Sequence, residues 1–239
     1  MINKIISSIS KNHPFSIEEL NSYRELVDWD SISCNTAIPW CDMYIDEFKD
    51  KLNFSWDGLA MNPSLPITRD FLIKFHDLFV WEYLTDNPAI PWSIELLEEF
   101  KEDWAWECIE FCGNTGLSLN RDLPWSEELI EKFEDKWFWG ELSSNPSLPW
   151  SKDFLLKYKD RWTWDGHNGY WGLSINPSHV VKDLLTQYFP DRIDYKYFDK
   201  PMCFHNENIN KEPLDDILKE YINQYGLKKM MCCINITTL

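Results

Sequence analysis

Apolar residues recur along this chain in a pattern that copies itself. In the stretch PWSEELIEKFEDKWFWGELSSNPSL, residues 124–148, Leu129, Ile130, Phe133 and Trp137 fall 3, 4, 7 and 11 positions after Ser126. Leu96, Leu97, Phe100 and Trp104 stand at the same distances from Ser93. This spacing draws one stripe along a helix, and the Glu, Asp and Lys residues between form its solvated side. Each stripe is introduced by a helix start. Ser16, Thr68, Ser93, Ser126 and Ser151 can accept hydrogen bonds from free backbone N–H groups. An acid two residues on (Glu18, Asp70, Glu95, Glu128, Asp153) complements the helix dipole. Apolar residues before the cap and four after it, such as Trp125 and Ile130, form a hydrophobic staple. Cys41 holds the cap position of the second copy and predicts a weaker start there. Positions below are counted from the cap residue.

A further Trp stands at cap+13 in five copies: Trp29, Trp81, Trp106, Trp139 and Trp164. Trp56 is assigned the same place in the second copy, after a two-residue insertion. A W-x-x-L-S-x-N segment follows, long enough for about one helical or 3₁₀ turn. Then comes a hinge, written NPSLPW at 145–150 and NPAIPW at 87–92. Asn-Pro disfavours helix at the Asn, whose side chain can close an Asx-turn over the next residues. The Asn recurs as Asn35, Asn62, Asn87, Asn120, Asn145 and Asn176.

Pro14, Pro39, Pro66, Pro91, Pro124 and Pro149 are spaced by 25, 27, 25, 33 and 25 residues, which is a repeat period. A unit this short cannot bury its own stripe, so neighbours must stack. The sequence therefore predicts an all-α chain, an α-solenoid of about six 25-residue repeats with a C-terminal helical cap. Each repeat would hold one long helix and one short helical turn. Residues 1–13 form an N-terminal lead-in, 14–179 the six repeats, and 180–239 a degraded seventh helix from near Val181 followed by the cap. An amphipathic helix is expected at about 212–225, with Pro213 in its first turn and Gly226 at its end.

The W-x-x-L-S-x-N-P-x-L-P-W run resembles the Trp- and Asn-Pro-rich helical repeat proteins of giant-virus and some bacterial proteomes. The resemblance covers residues 14–178 and implies a fold type and little chemistry, because that group has no assigned activity. Thr36 and Arg121 replace the hinge Pro, and Val180 replaces the second Pro, so those junctions depart from the pattern.

Hydrophobic residues make up 44% of the chain, enough for a sizeable core, and the fourteen Trp are explained mainly by the repeated sites. A formal net charge of −17 disfavours nucleic acid and anionic membrane as direct partners and permits a basic protein. The N-terminus has no credible signal peptide, and no apolar run approaches the ~20 residues of a membrane span. Seven Cys without framework spacing fit a reducing compartment. The expected location is the cytoplasm, or the host cytoplasm for a viral protein.

Candidate chemistry lies where copies differ. The fourth and sixth copies carry insertions of eight and six residues between the cap+13 Trp and the Leu-Ser pair, at 107–116 and 165–172. In a solenoid they project from one edge. Glu107, Glu110, His167, Tyr170 and Trp171 are the candidate partner-binding residues. Trp171 lies outside the repeat pattern and is either a contact anchor or, with Tyr170, a cover for an inter-repeat gap. Residues 77–128 hold thirteen acids against Lys101 and Arg121, which reads as a solvated face or as a docking surface for a basic partner. Cys108 with Cys112, and Cys203, His205, Cys232 and Cys233, lack zinc-ligand spacing. No nucleophile elbow, P-loop, HExxH or dinucleotide fingerprint is present. His13, His76 and His179 show no partner at a telling spacing. No catalytic residue, cofactor or metal is expected. The functional expectation is a non-enzymatic scaffold binding a protein through insert loops and an acidic face. The alternative is an acidic inhibitor, antitoxin-like or counter-defence, that blocks a basic nucleic-acid-processing enzyme. An enzyme with a site between the two insert loops is a third reading.

Overall fold

The computed structural model describes residues 2–107, 116–165 and 171–198, together with 222–224, 226–228 and 231. Among them all regular structure is helical, and no helix is long and apolar enough to cross a membrane. The chain divides into two compact units. One comprises Met1–Pro91 with Glu207–Leu239; the other is Trp92–Asn206.

The first helix of each copy forms where the cap residues place it. Helices Ile17–Ser22, Arg69–Lys74, Ile94–Glu99, Glu127–Lys132 and Lys152–Lys157 each begin after a Ser or Thr that accepts the N–H three residues on. Ser16 and Glu19 close a full capping box, with Glu19 accepting the Ser16 N–H at 3.0 Å. Cys41 starts helix Asp42–Phe48 with no side-chain bond, as its weaker capping predicts.

These helices are shorter than the stripe implied. They end six or seven residues after the cap, although the cap+11 residue is still buried. The first helix ends there whether cap+11 is Val27, Leu52, Phe79 or a Trp, and in two copies an indole takes the carbonyl that this ending leaves open. In a continuing helix the Ile130 carbonyl would accept the Glu134 N–H. Instead Trp137 Nε1 donates to Ile130 O (3.2 Å), and Glu134 N turns back to Glu131 O (3.3 Å). Trp162 Nε1 takes Leu155 O in the same way (3.1 Å). The chain thus folds its cap+11 Trp back over the helix that precedes it.

The cap+13 indole closes the turn that follows. Trp29, Trp81, Trp106, Trp139 and Trp164 each donate to the carbonyl five residues back, at 2.8–3.2 Å. Trp29, Trp81 and Trp139 also open the second helices Trp29–Ser33, Trp81–Leu84 and Trp139–Ser144. In the second copy Phe54 takes this place, buried and edge-on to Phe79 at 5.2 Å. The assignment of Trp56 is therefore corrected: the two extra residues follow the aromatic, and Trp56 is 58% exposed.

Two polar ladders join successive copies inside each unit. In the first unit, Asn62 Nδ2 donates to Ser33 O (3.0 Å) and Asn35 O (3.1 Å), and Asn87 Nδ2 to Ala60 O (2.7 Å) and Asn62 O (3.1 Å). In the second unit, Asn145 Nδ2 donates to Ser118 O and Asn120 O (both 3.0 Å), and Asn176 Nδ2 to Ser143 O (2.9 Å) and Asn145 O (3.2 Å). Each Asn Oδ1 also accepts the N–H two residues on, which is the expected Asx-turn. The second ladder is built from hydroxyls. Ser33, Ser143 and Ser118 donate to the cap+13 carbonyl of their own copy and accept the cap+12 N–H of the next.

The ladders extend past the repeats. Lead-in residues 2–12 are a helix, Ile2–Asn12, whose Ser10 carbonyl accepts Asn35 Nδ2 (2.7 Å) and whose Ser10 Oγ accepts Asp28 N (2.9 Å). It is an N-terminal cap carrying the hydroxyl station of a repeat. At the other end, helix His179–Tyr188 is the seventh, with Phe189 packed on Trp164 at 5.2 Å. Ser174 Oγ accepts Asp194 N there (2.8 Å). Of the helix expected at 212–225, residues 222–224 are helical, and Gly226 follows with φ 82°, as a helix-ending Gly does. The rest lies outside the described residues.

Two stability changes follow. Trp137→Ala removes a buried ring and frees the Ile130 carbonyl, and should cost about 3–5 kcal/mol in chemical denaturation. Asn145→Ala abandons two buried carbonyls and the Ser147 N–H, and should cost about 3 kcal/mol. Asn145→Asp tests the donor directly. An ionised carboxylate facing two carbonyls is disfavoured, so its folded-state pKa must rise above the unfolded value. The folded state then binds the extra proton, and stability falls as pH rises. Denaturation of Asn145→Asp across pH should show recovery toward the parent in acid.

Candidate functional site

The short helix of an uninterrupted copy starts with a backbone bond between cap+12 and the repeat Leu. Leu142 N donates to Phe138 O at 3.0 Å and Leu84 N to Val80 O at 3.1 Å. In the fourth copy Leu117 N donates to Ala105 O at 2.8 Å, although 11 residues separate the two. In the sixth, Leu173 N donates to Thr163 O at 2.8 Å. The Ser hydroxyl after the Leu also still reaches the cap+13 carbonyl: Ser118 to Trp106 and Ser174 to Trp164, both 2.6 Å. The insertions therefore leave the scaffold unaltered. They leave from within the first helical turn and return before its first bond closes.

The second copy shows the same pinch, with Leu59 N on Asn53 O at 2.7 Å. It is a third insert at the same station: the two extra residues lie after Phe54 and not before Trp56. A glycine stands directly before the Leu in all three: Gly58, Gly116 and Gly172. The returning chain passes so close to its own departure that a Cβ at Gly58 would meet Asn53 O at 2.2 Å, and one at Gly172 would meet Asp165 O at 1.7 Å. Gly116 and Gly172 also have φ of 61° and 136°. The Gly-Leu pair was the sequence signal for these inserts.

Among the candidate residues, Glu107 is exposed at the departure of the fourth-copy insert. Glu110, His167 and Tyr170 lie outside the described residues. Trp171 is half-buried and turns back onto the preceding copy. Its ring is edge-on to Phe138 at 5.5 Å and crowds Gly140, where a Cβ would lie 2.9 Å from the indole. Gly172 N donates to Ser144 Oγ of that copy at 2.7 Å, anchoring the return.

Several carboxylates of the acidic segment are engaged by lysines of the following copy. Lys132 meets Glu98 at 3.5 Å, Lys136 meets Glu102 at 2.7 Å, and Lys157 lies between Glu127 (2.9 Å) and Glu131. These carboxylates hold Lys157 well above the usual lysine range, and Lys136 draws Glu102 below the usual Glu value. The pairs are solvent-exposed and contribute little stability. The Lys132–Glu98 and Lys136–Glu102 pairs and Glu131 line an open cleft of about 410 Å³ with Lys101, Glu134 and Asp135, polar and of mixed charge.

His13 and His76 have partners that spacing did not reveal. His13 Nε2 lies 3.6 Å from Glu19 and its ring is edge-on to Phe15, while His76 Nδ1 is 2.9 Å from Asp77. Burial lowers the pKa of His13, outweighing the opposing pull of Glu19. Among the described residues no group of three or more His, Cys, Asp and Glu is placed to hold a metal ion. The Cys and His residues weighed for zinc lie outside them.

No family model, curated protein or solved structure matches the chain.

The seat of Trp171 is testable. Gly140→Ala places a methyl group against the indole, so the ring must shift and unfolding should occur at about 1–3 kcal/mol lower stability. Thermal unfolding together with the Trp171 indole N–H resonance would report both effects. An unmoved resonance and an unchanged midpoint would show that the ring does not rest there.

Proposed function

We propose that this chain is a non-enzymatic protein-binding scaffold of the Trp/Asn-Pro repeat type, its copies stacked as an α-solenoid, which holds a partly basic protein through its insert loops and acidic face. The observation that supports it most is the shared insert station. Three insertions of different length leave the repeat between the same two backbone groups, and the internal bonds are intact beneath them. A fold whose polar interior is spent on its own ladders has its freedom to vary in those loops. Glu107, Glu110, His167, Tyr170 and Trp171 are the proposed contact residues, and cytoplasm is the proposed setting.

The net charge of −17 also favours the second reading, an acidic inhibitor seated on a basic nucleic-acid-processing enzyme. Salt separates the two. The immobilised chain is exposed to a lysate of its native host at low and high salt, beside a Glu107→Gln/Glu110→Gln variant. Under the scaffold reading the captured protein persists at high salt, and the variant captures it with slower association and weaker salt dependence. Complete release of a nuclease or polymerase by salt would favour the inhibitor. A folded variant that captures its partners as the parent does would remove the acidic insert from the contact.

A further inference from the structure

Thirteen of the fourteen Trp are buried or half-buried, and Trp56 alone is exposed. It stands in the shortest insert, Ser55–Gly58, of the second copy. Nothing in the repeat requires an indole there, since Phe54 already fills the core position. Among the described residues its ring has no aromatic partner and no hydrogen bond.

The turn that presents Trp56 is fastened from both sides. Asn53 Oδ1 accepts the Ser55 N–H at 2.9 Å, and Asn53 Nδ2 donates to Asp57 Oδ1 at 2.9 Å and to Asp30 Oδ1 at 3.2 Å. Ser55 Oγ donates to Asp57 Oδ1 at 2.8 Å, and Gly58 N to Ser55 O at 3.1 Å. Beneath it Cys34 Sγ donates to Asp57 O at 2.7 Å. An exposed aromatic held this way loses little conformational freedom when it is covered.

Its surroundings are negative. Burial pushes the Cys34 thiol up, and the charges of Asp57, Asp30 and Asp28 act on it in the same direction, against Lys11. Asp57 and Asp30 both accept from Asn53 Nδ2, which holds two carboxylates together beside the turn. Hydrogen bonds from Ser55 and Asn53 hold Asp57 below its usual range, so it is ionised at neutral pH.

We propose that the Trp56 turn is a docking point for an arginine side chain of a protein partner, the guanidinium lying on the exposed indole while the carboxylates of Asp57 and Asp30 meet its N–H groups. The local negative charge selects a cation. The flat apolar ring selects the cation that is planar and weakly hydrated, which is arginine and not lysine. The proposal rests on the reading of the chain as a protein-binding scaffold and names the chemistry of one contact.

The test uses the full chain labelled with ¹⁵N and two short peptides of equal charge, one with arginines spaced by glycine and one with lysines in their place. The Trp56 indole resonance is identified by its loss in Trp56→Phe. The arginine peptide should shift that resonance and bind about tenfold more tightly than the lysine peptide, the upper part of a cation–π contribution. Trp56→Ala should abolish the difference, and Asp57→Asn should weaken arginine binding about threefold, as loss of one charge contact does. Equal binding of the two peptides, or an arginine preference that survives Trp56→Ala, overturns the proposal. So does a Trp56 resonance that moves with protein concentration alone and is indifferent to peptide, which would assign the site to a second copy of the chain. Host-lysate capture with Trp56→Ala separates this outcome from failure of the scaffold reading. If the peptides do not discriminate yet capture persists, the scaffold stands and only this contact falls.

Discussion

A buried primary amide must find partners for both of its N–H groups, and that demand organises each unit of this structure. Asn145 is fully buried, and it has no partner for its amide within its own copy beyond the Ser147 N–H that its oxygen accepts. Its two donors reach back to Ser118 O and Asn120 O of the preceding copy. Asn145 O then serves two donors, Asn176 Nδ2 and Trp150 Nε1. Within each unit, a copy thus completes its neighbour. A copy slipped by one residue against the next would strand several buried polar groups at about 1–3 kcal/mol each. Apolar stripes alone would not impose that penalty, because Leu and Phe pack acceptably in many registers. The amides therefore fix the register, and burial of the aromatics supplies most of the driving force.

Tryptophan is used here for both of its properties. Its ring fills the space between short helices, as in the Trp125–Trp137 and Trp139–Trp162 pairs at 5.0 and 4.9 Å. Its N–H satisfies carbonyls that interrupted helices leave open. Trp137 and Trp162 take a carbonyl inside the first helix, the cap+13 Trp takes one in the turn, and Trp150 takes the hinge Asn. Helices of six residues are too short to be stable alone. They persist because their ends are completed by indoles, hydroxyls and amides from elsewhere in the repeat. The richness in Trp answers a need for hydrogen-bond donors as much as a need for apolar volume.

The sequence revealed the helical class, the caps, the buried stripe and the equivalence of the six Asn, because each follows from local spacing. It concealed where the first helix ends. A stripe at cap+3, +4, +7 and +11 reads as a continuous helix, whereas the helix ends at cap+6 or cap+7 and the chain reaches cap+11 by folding back. It also concealed the ladder. The Asx-turn is local and was legible, whereas the two amide donors act across 22 to 33 residues. The N-terminal helix could have been found from Ile2, Ile5, Ile6 and Ile9, which share its inner side, but its repeat-like role rests on Ser10 and contacts no motif announces. The candidate site was legible as to station but not content. The two extra residues of the second copy are legible from its length, but local spacing does not say whether they precede or follow the aromatic, so Trp56 reads as cap+13 where Phe54 stands.

The inserts show how the fold tolerates change. A helix beginning is a chain reversal closed by one hydrogen bond, and its first turn contributes little beyond that bond and the following hydroxyl contact. Residues added inside that turn cost little if the bond re-forms, and re-forming it requires the chain to return beside its own starting carbonyl. Only a residue without a side chain fits such a return, which is why Gly58, Gly116 and Gly172 stand where Tyr83 and Glu141 stand in uninterrupted copies. A glycine before the Leu thus accompanies each of the three inserts at this station. Extra sequence accumulates where the backbone can be closed again beneath it, and the surface free to vary is set by the hydrogen-bond geometry of the repeat.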